Sequence, residues 1–145
     1  MRHARPILMI VGAILTATLA CPAQPLTDVV DVTSFRDLVT DRGEETEDWQ
    51  PAFQAAIARA RETRQPIHVP TGEYRIRRAI EIVPVEVEGK PFLRNAIRMF
   101  GAGKMKSIIS QQVETENCIN WTGLEYEKPC THGSLEDICL RGGTV

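Results

Sequence analysis

Neither sign of charge dominates this chain: 17 Lys and Arg stand against 19 Asp and Glu, for a formal net charge of −2 over 145 residues. That faint acidity argues against nucleic acid as a general partner, which calls for a basic face. No apolar run of membrane-spanning length follows the short one at the start, and no low-complexity segment occurs. Strong metal signatures are missing as well. Cys130, His132 and Cys139 are within reach of one another in sequence, yet their spacing matches no zinc pattern. Gly101-Ala102-Gly103-Lys104 resembles the end of a phosphate loop. It lacks the earlier glycine, because Arg98 stands there, and Met105 replaces the Ser or Thr that would meet magnesium.

What the chain does have begins with an export signal. Arg2 and Arg5 precede an apolar run over 7–19, and Ala20-Cys21-Pro22-Ala23 offers small residues for cleavage. The run is shorter than the roughly 20 apolar residues a bilayer span needs. Residues 1–23 are therefore expected to be removed, with cleavage after Ala20 as the alternative. Cys21 also admits a lipid anchor, against which Thr18 stands where such signals favour a branched apolar residue. The mature part, 24–145, is expected to be secreted or periplasmic and to form one small domain. Its three cysteines, Cys118, Cys130 and Cys139, are an odd number, so at least one thiol stays unpaired within a chain. Which two would pair is not fixed by sequence.

Periodicity gives the elements. Val29 to Phe35 alternates apolar and polar residues, as a strand does. Asp41, Glu44, Glu45, Glu47 and Asp48 form an acid-rich stretch just before a helix, where negative charge suits the helix dipole. The helix is expected over about 48–64, with Asp48 as N-cap and Pro51 in the first turn. Trp49, Ala52, Phe53, Ala56, Ile57 and Ala60 form its apolar stripe. Ile67-His68-Val69 and Tyr74-Arg75-Ile76 are short strands around a Pro70-Thr71-Gly72 corner, with Ile80 and Ile82 continuing the pattern. Residues 84–95 resemble an inserted hairpin or loop, and Ser107 to Ser110 a further strand.

One phrase then recurs: isoleucine, any residue, a large apolar residue, any residue, glycine. It occurs at Ile97–Gly101, Ile119–Gly123 and Ile138–Gly142, at offsets of 22 and 19 residues. Strands returning every ~20 residues suggest a solenoid whose coils stack on one another. An all-β solenoid is therefore the expected fold.

Four pieces sharpen this expectation. Val32-Thr33-Ser34-Phe35, then the helix segment from Asp48 to Ile57, then Val69-Pro70-Thr71-Gly72-Glu73-Tyr74, then Gly101-Ala102-Gly103 occur in order. In that order the stretch 30–103 resembles the N-terminal region of the pectate lyase-like right-handed parallel β-helix superfamily. The glycine- and aspartate-rich phrase that this family carries before its helix is replaced here by residues 37–44, which keep little beyond Gly43. The resemblance implies a helix capping the first coils and an exported carbohydrate-active protein acting on acidic polysaccharide, as lyase or hydrolase. It implies calcium if the complete protein is a lyase. A non-catalytic glycan-binding or adhesin role is the alternative.

Catalytic residues are hard to find. Glu136 and Asp137 are adjacent, so on a strand they would point to opposite faces. His68 and His132 are isolated in sequence. Arg75 and Arg77 share a strand face and are the candidate contacts to an acidic glycan. Asn120-Trp121-Thr122 fits a glycosylation acceptor. Gly142-Gly143-Thr144-Val145 offers no cap for a solenoid end, so the chain is expected to be the leading, inactive part of a longer protein, its catalytic coils lying elsewhere.

Overall fold

The computed structural model describes residues 28–41, 43, 46–83, 85–87, 90–92, 97–121 and 133–143. The expected signal segment, Cys21, Gly123, Cys130 and His132 lie outside the described residues. The chain opens with β1 (Val30–Asp31), a 3-10 helix (Val32–Leu38) and α1 (Gln50–Thr63). Then come β2 (Ile67–Val69), β3 (Gly72–Ile76), β4 (Ile80–Ile82), β5 (Val85–Val87) and β6 (Lys90–Phe92). The last five strands are β7 (Arg98–Gly101), β8 (Ser107–Gln111), β9 (Ile119–Trp121), β10 (Ser134–Glu136) and β11 (Cys139–Arg141).

These strands form three separate small parallel sheets, in the orders β1-β2-β7-β10, β11-β8-β3 and β4-β9, plus the antiparallel pair β5-β6. With two helices among them, the described residues do not form the all-β solenoid expected from the repeated phrase. The reason lies in where the three phrases fall. The first supplies β7 of the four-stranded sheet, the second β9 of the two-stranded sheet, and the third β11 of the three-stranded sheet. None pairs with another. Met99 lies beside Ile67 and Leu135, Ile119 beside Ile80, and Cys139 beside Ile108. Parallel partners are 31 to 39 residues apart, so the ~20-residue offset is not a strand-on-strand period. Parallel neighbours need a crossover of a dozen residues or more; the β1–β2 crossover carries the two helices, and every other crossover carries strands of the other sheets.

The opening strand is shorter than its alternation suggests. Asp31 Oδ1 accepts hydrogen bonds from both the backbone N–H and the hydroxyl of Thr33, and the chain turns into the 3-10 helix at Val32. Such side-chain-to-backbone bonds compete with the strand ladder. The helix α1 begins two residues later than expected, and Trp49, already helical at φ −85°, is its N-cap. Asp48 still serves the helix start. Its buried Oδ1 takes the N–H of Gln50 (3.0 Å) and that of Arg77 (3.2 Å), tying the helix to the chain leaving β3. At the far end Arg64 adopts a left-handed conformation, φ 60°, and Pro66 follows.

The apolar stripe is buried at every position, Trp49, Ala52, Phe53, Ala56, Ile57 and Ala60. Tyr74 receives Trp49 and Phe53 edge-on, with ring centroids 4.9 and 5.8 Å away. Its hydroxyl donates to Pro70 O at 3.1 Å. Burial, with the nearby Asp31 charge, pushes its pKa up to about 12.

Two corners depend on close approach. A Cβ on Gly101 would sit 2.4 Å from Asp137 O and 2.7 Å from Ser107 Cβ, so no larger residue fits there. Fully buried Ser107 donates to Val69 O at 2.8 Å and accepts the Ala102 N–H at 2.8 Å. It joins the Pro-Thr-Gly corner to the glycine corner above it.

Candidate functional site

Strand register decides which polar side chains meet. On the three-stranded sheet Tyr74, Ile109 and Leu140 lie at one level, with Tyr74 and Ile109 in the core and Leu140 on the same side of its strand. Alternation therefore sends their neighbours outward. Glu73, Ile108 and Cys139 form one outer row, and Arg75, Ser110 and Arg141 the next. Arg141 Nη1 reaches back to Glu73 Oε1 at 3.7 Å. Ser110 is buried between the two arginines, its hydroxyl accepting from Gln112 Nε2 at 3.0 Å. The candidate contact Arg75 thus belongs to a row with Arg141, a partner that sequence separation concealed. Arg77 does not join them. It follows the end of β3, where Asp41 Oδ2 lies 3.9 Å from its guanidinium.

Of the acid-rich stretch, Glu44 and Glu45 lie outside the described residues, and Glu47 is paired. Glu47 accepts the Trp49 indole N–H at 3.0 Å and faces Arg36 at 3.6 Å, and Arg36 lies over the Trp49 ring at 5.6 Å. Asn120, the expected glycosylation acceptor, donates its amide to Glu81 Oε1 at 2.7 Å and accepts from Asn117 at 2.9 Å.

The four-stranded sheet carries the side chain that the sequence concealed most. Asp31, His68, Phe100 and Glu136 share one register level across all four strands. His68 is not isolated: its Nδ1 lies 3.2 Å from Asp31 Oδ2, and its ring leans on Phe100 with centroids 5.1 Å apart. Partial burial raises the Asp31 pKa, but the two Thr33 hydrogen bonds and His68 outweigh that and leave it below the ordinary aspartate value. Two strands further on, Glu136 Oε1 accepts from Ser134 Oγ at 2.6 Å and faces Arg98 at 3.8 Å. Asp137 follows with φ 54°, past the strand end.

These positions limit the chemistry. Asp31 and Glu136 stand three strand spacings apart, about 14 Å. Glycoside hydrolysis needs two carboxyl groups about 5–9.5 Å apart. Cys118 is buried, with its thiol near Arg141 O (3.7 Å) and Gly142 O (3.6 Å), and burial raises its pKa. Cys118 and Cys139 are both free thiols. Among the described residues no helix is long and apolar enough to cross a membrane. No family model, curated protein or solved structure matches this chain.

Proposed function

We propose that this chain is part of an exported carbohydrate-active protein and that its own contribution is to bind acidic polysaccharide. The observation that carries the reading is the row Arg75–Ser110–Arg141. With Glu73 beside it, this face holds two guanidinium groups against one carboxylate. Arginine is suited to uronate carboxylates because its fork offers two parallel N–H donors. The export signal at the start of the sequence and the similarity of residues 30–103 to pectate lyase-like proteins add support. Cleavage is assigned to none of the described side chains: Asp31 and Glu136, the two carboxylates at one level of the four-stranded sheet, stand about 14 Å apart.

The test is affinity electrophoresis of the full chain through gels containing polygalacturonate. Retardation is expected, and it should weaken about tenfold in apparent Kd for an Arg75→Gln/Arg141→Gln double variant. Arg77→Gln should have the smaller effect. The reading is wrong if the unsubstituted chain migrates unretarded, or if the double variant binds as well as the parent. Release of unsaturated uronate or new reducing ends would instead return cleavage to this chain.

A further inference from the structure

The outer face of the four-stranded sheet differs in charge from the arginine row, and the difference points to another ligand. Among the described residues of this face, Asp31, Glu136 and Asp137 stand against Arg98, for a formal −2 with histidine left out of the count. The arginine row with Glu73 sums to +1. A uronate is therefore repelled from the first face and attracted to the second.

The negative face is nevertheless built for contact. His68 and Phe100 give a strip of two adjoining rings, inclined by 35°. Beside it lies a cleft of about 260 Å³ lined by Arg98, Met99, Phe100, Ser134, Glu136 and Asp137. That is just under the ~300–1,000 Å³ of sites for drug-sized ligands, a size for one monosaccharide unit. The strip supplies an apolar platform, and the polar groups around it are held in place. Thr33 holds Oδ1 of the Asp31 carboxylate, and its Oδ2 lies 3.2 Å from His68 Nδ1. Ser134 and Arg98 both meet Oε1 of Glu136, and among the described residues Oε2 meets no donor. A fixed carboxylate acceptor and a guanidinium beside an aromatic strip match the vicinal hydroxyls and C–H face of an uncharged pyranose.

We propose that this face is a binding subsite for a neutral sugar residue, separate from the anionic-glycan row and independent of it. Phe100 and His68 form the platform, and Arg98 and Glu136 take the hydroxyls.

The experiment is nitrogen-15 and methyl NMR titration of the full chain with uncharged tetrasaccharides of β-linked galactose, glucose, xylose and mannose, and with tetragalacturonate as the charged counterpart. At least one neutral tetrasaccharide should shift the resonances of His68, Met99, Phe100 and Ser134, and tetragalacturonate should leave them in place. Phe100→Leu, which keeps an apolar side chain in the strand, should weaken the neutral binding about tenfold, and Glu136→Gln by a few-fold. Both variants should leave polygalacturonate retardation unchanged. The proposal is overturned if no neutral tetrasaccharide moves these resonances at millimolar concentration. It is overturned equally if tetragalacturonate moves them instead, or if Phe100→Leu binds the neutral sugar as tightly as the parent.

Discussion

The two ends of the parallel sheets are finished in different ways. At the helix end the strand edges are met by named groups. Trp49 N–H donates to Arg75 O of β3 at 2.8 Å. Gln50 Nε2 donates to Ala79 O at 3.2 Å, and Arg61 Nη2 to Val83 O at 2.5 Å. The Gln54 amide, oriented with its nitrogen on Glu81 O and its oxygen on Glu81 N–H, serves both backbone groups of one β4 residue. So the polar side of α1 acts as a substitute strand while its apolar stripe covers the interior. At the other end β9, β10 and β11 are each the last strand of their sheet. Inward-facing exposure rises accordingly: along one register row Tyr74, Ile109 and Leu140 are 4%, 0% and 43% exposed, and along another Ile82 and Trp121 are 1% and 36%. An edge strand is a liability unless something occupies it. At the helix end, glutamine, arginine and aspartate side chains meet the backbone groups.

The sharpest way to break this comparison is to truncate one apolar residue at each end. Phe53→Ala, beneath the helix and fully buried, is expected to cost about 3–5 kcal/mol, as for other buried phenylalanines. Leu140→Ala, nearly half exposed, should cost less than about 1 kcal/mol. Urea denaturation followed by circular dichroism decides it. Equal losses would show that the β11 end is packed as tightly as the helix end.

A smaller effect isolates the polar half of the contrast. Gln54→Ala leaves the Glu81 N–H and O without their side-chain partner and should cost about 1–2 kcal/mol. The Glu81 amide should exchange its hydrogen faster by a corresponding factor, while amides of β8 are unaffected. A protected Glu81 amide in the variant would mean that water or backbone replaces the glutamine without loss.

The smallest effect concerns pH at β1, the outermost strand on the helix side. Asp31 has a folded-state pKa below its ordinary 3.8, so its ionised form stabilises the fold. That contribution is complete above the unfolded value of 3.8 and fades as pH falls through the lower folded value. Stability of the parent should therefore drop more between about pH 4 and 2 than that of Asp31→Asn. Parallel acid curves would show that Thr33 and His68 do not hold the carboxylate in solution.

Much of the local structure was legible from residue order. The helix stripe follows from 3.6-residue spacing, and the Pro70-Thr71-Gly72 corner from turn chemistry. The β5-β6 pair lies where an inserted hairpin or loop was expected over 84–95. The repeated phrase misled because its signal is real but local. Each copy does form a short strand, and Gly101 and Gly142 do permit the bend, with Gly142 at φ 76°. Alternation reports which face of a strand is buried and carries no information on which strand lies alongside. His68 was misjudged for the same reason, since Asp31 is 37 residues away in sequence and 3.2 Å away in space.

By itself, the sequence determined the short elements, because propensity, capping and period act over a few residues. It determined the burial of the helix stripe, whereas the need for glycine at position 101 comes from Asp137 O and Ser107 Cβ, which only the tertiary structure brings there. Pairing was decided only in three dimensions, because parallel hydrogen bonding joins residues 31 to 39 apart through crossovers that leave no periodic trace. That pairing sorts the surface charges into an arginine row on one sheet and an acidic, aromatic row on another, which no count of 17 bases and 19 acids contains.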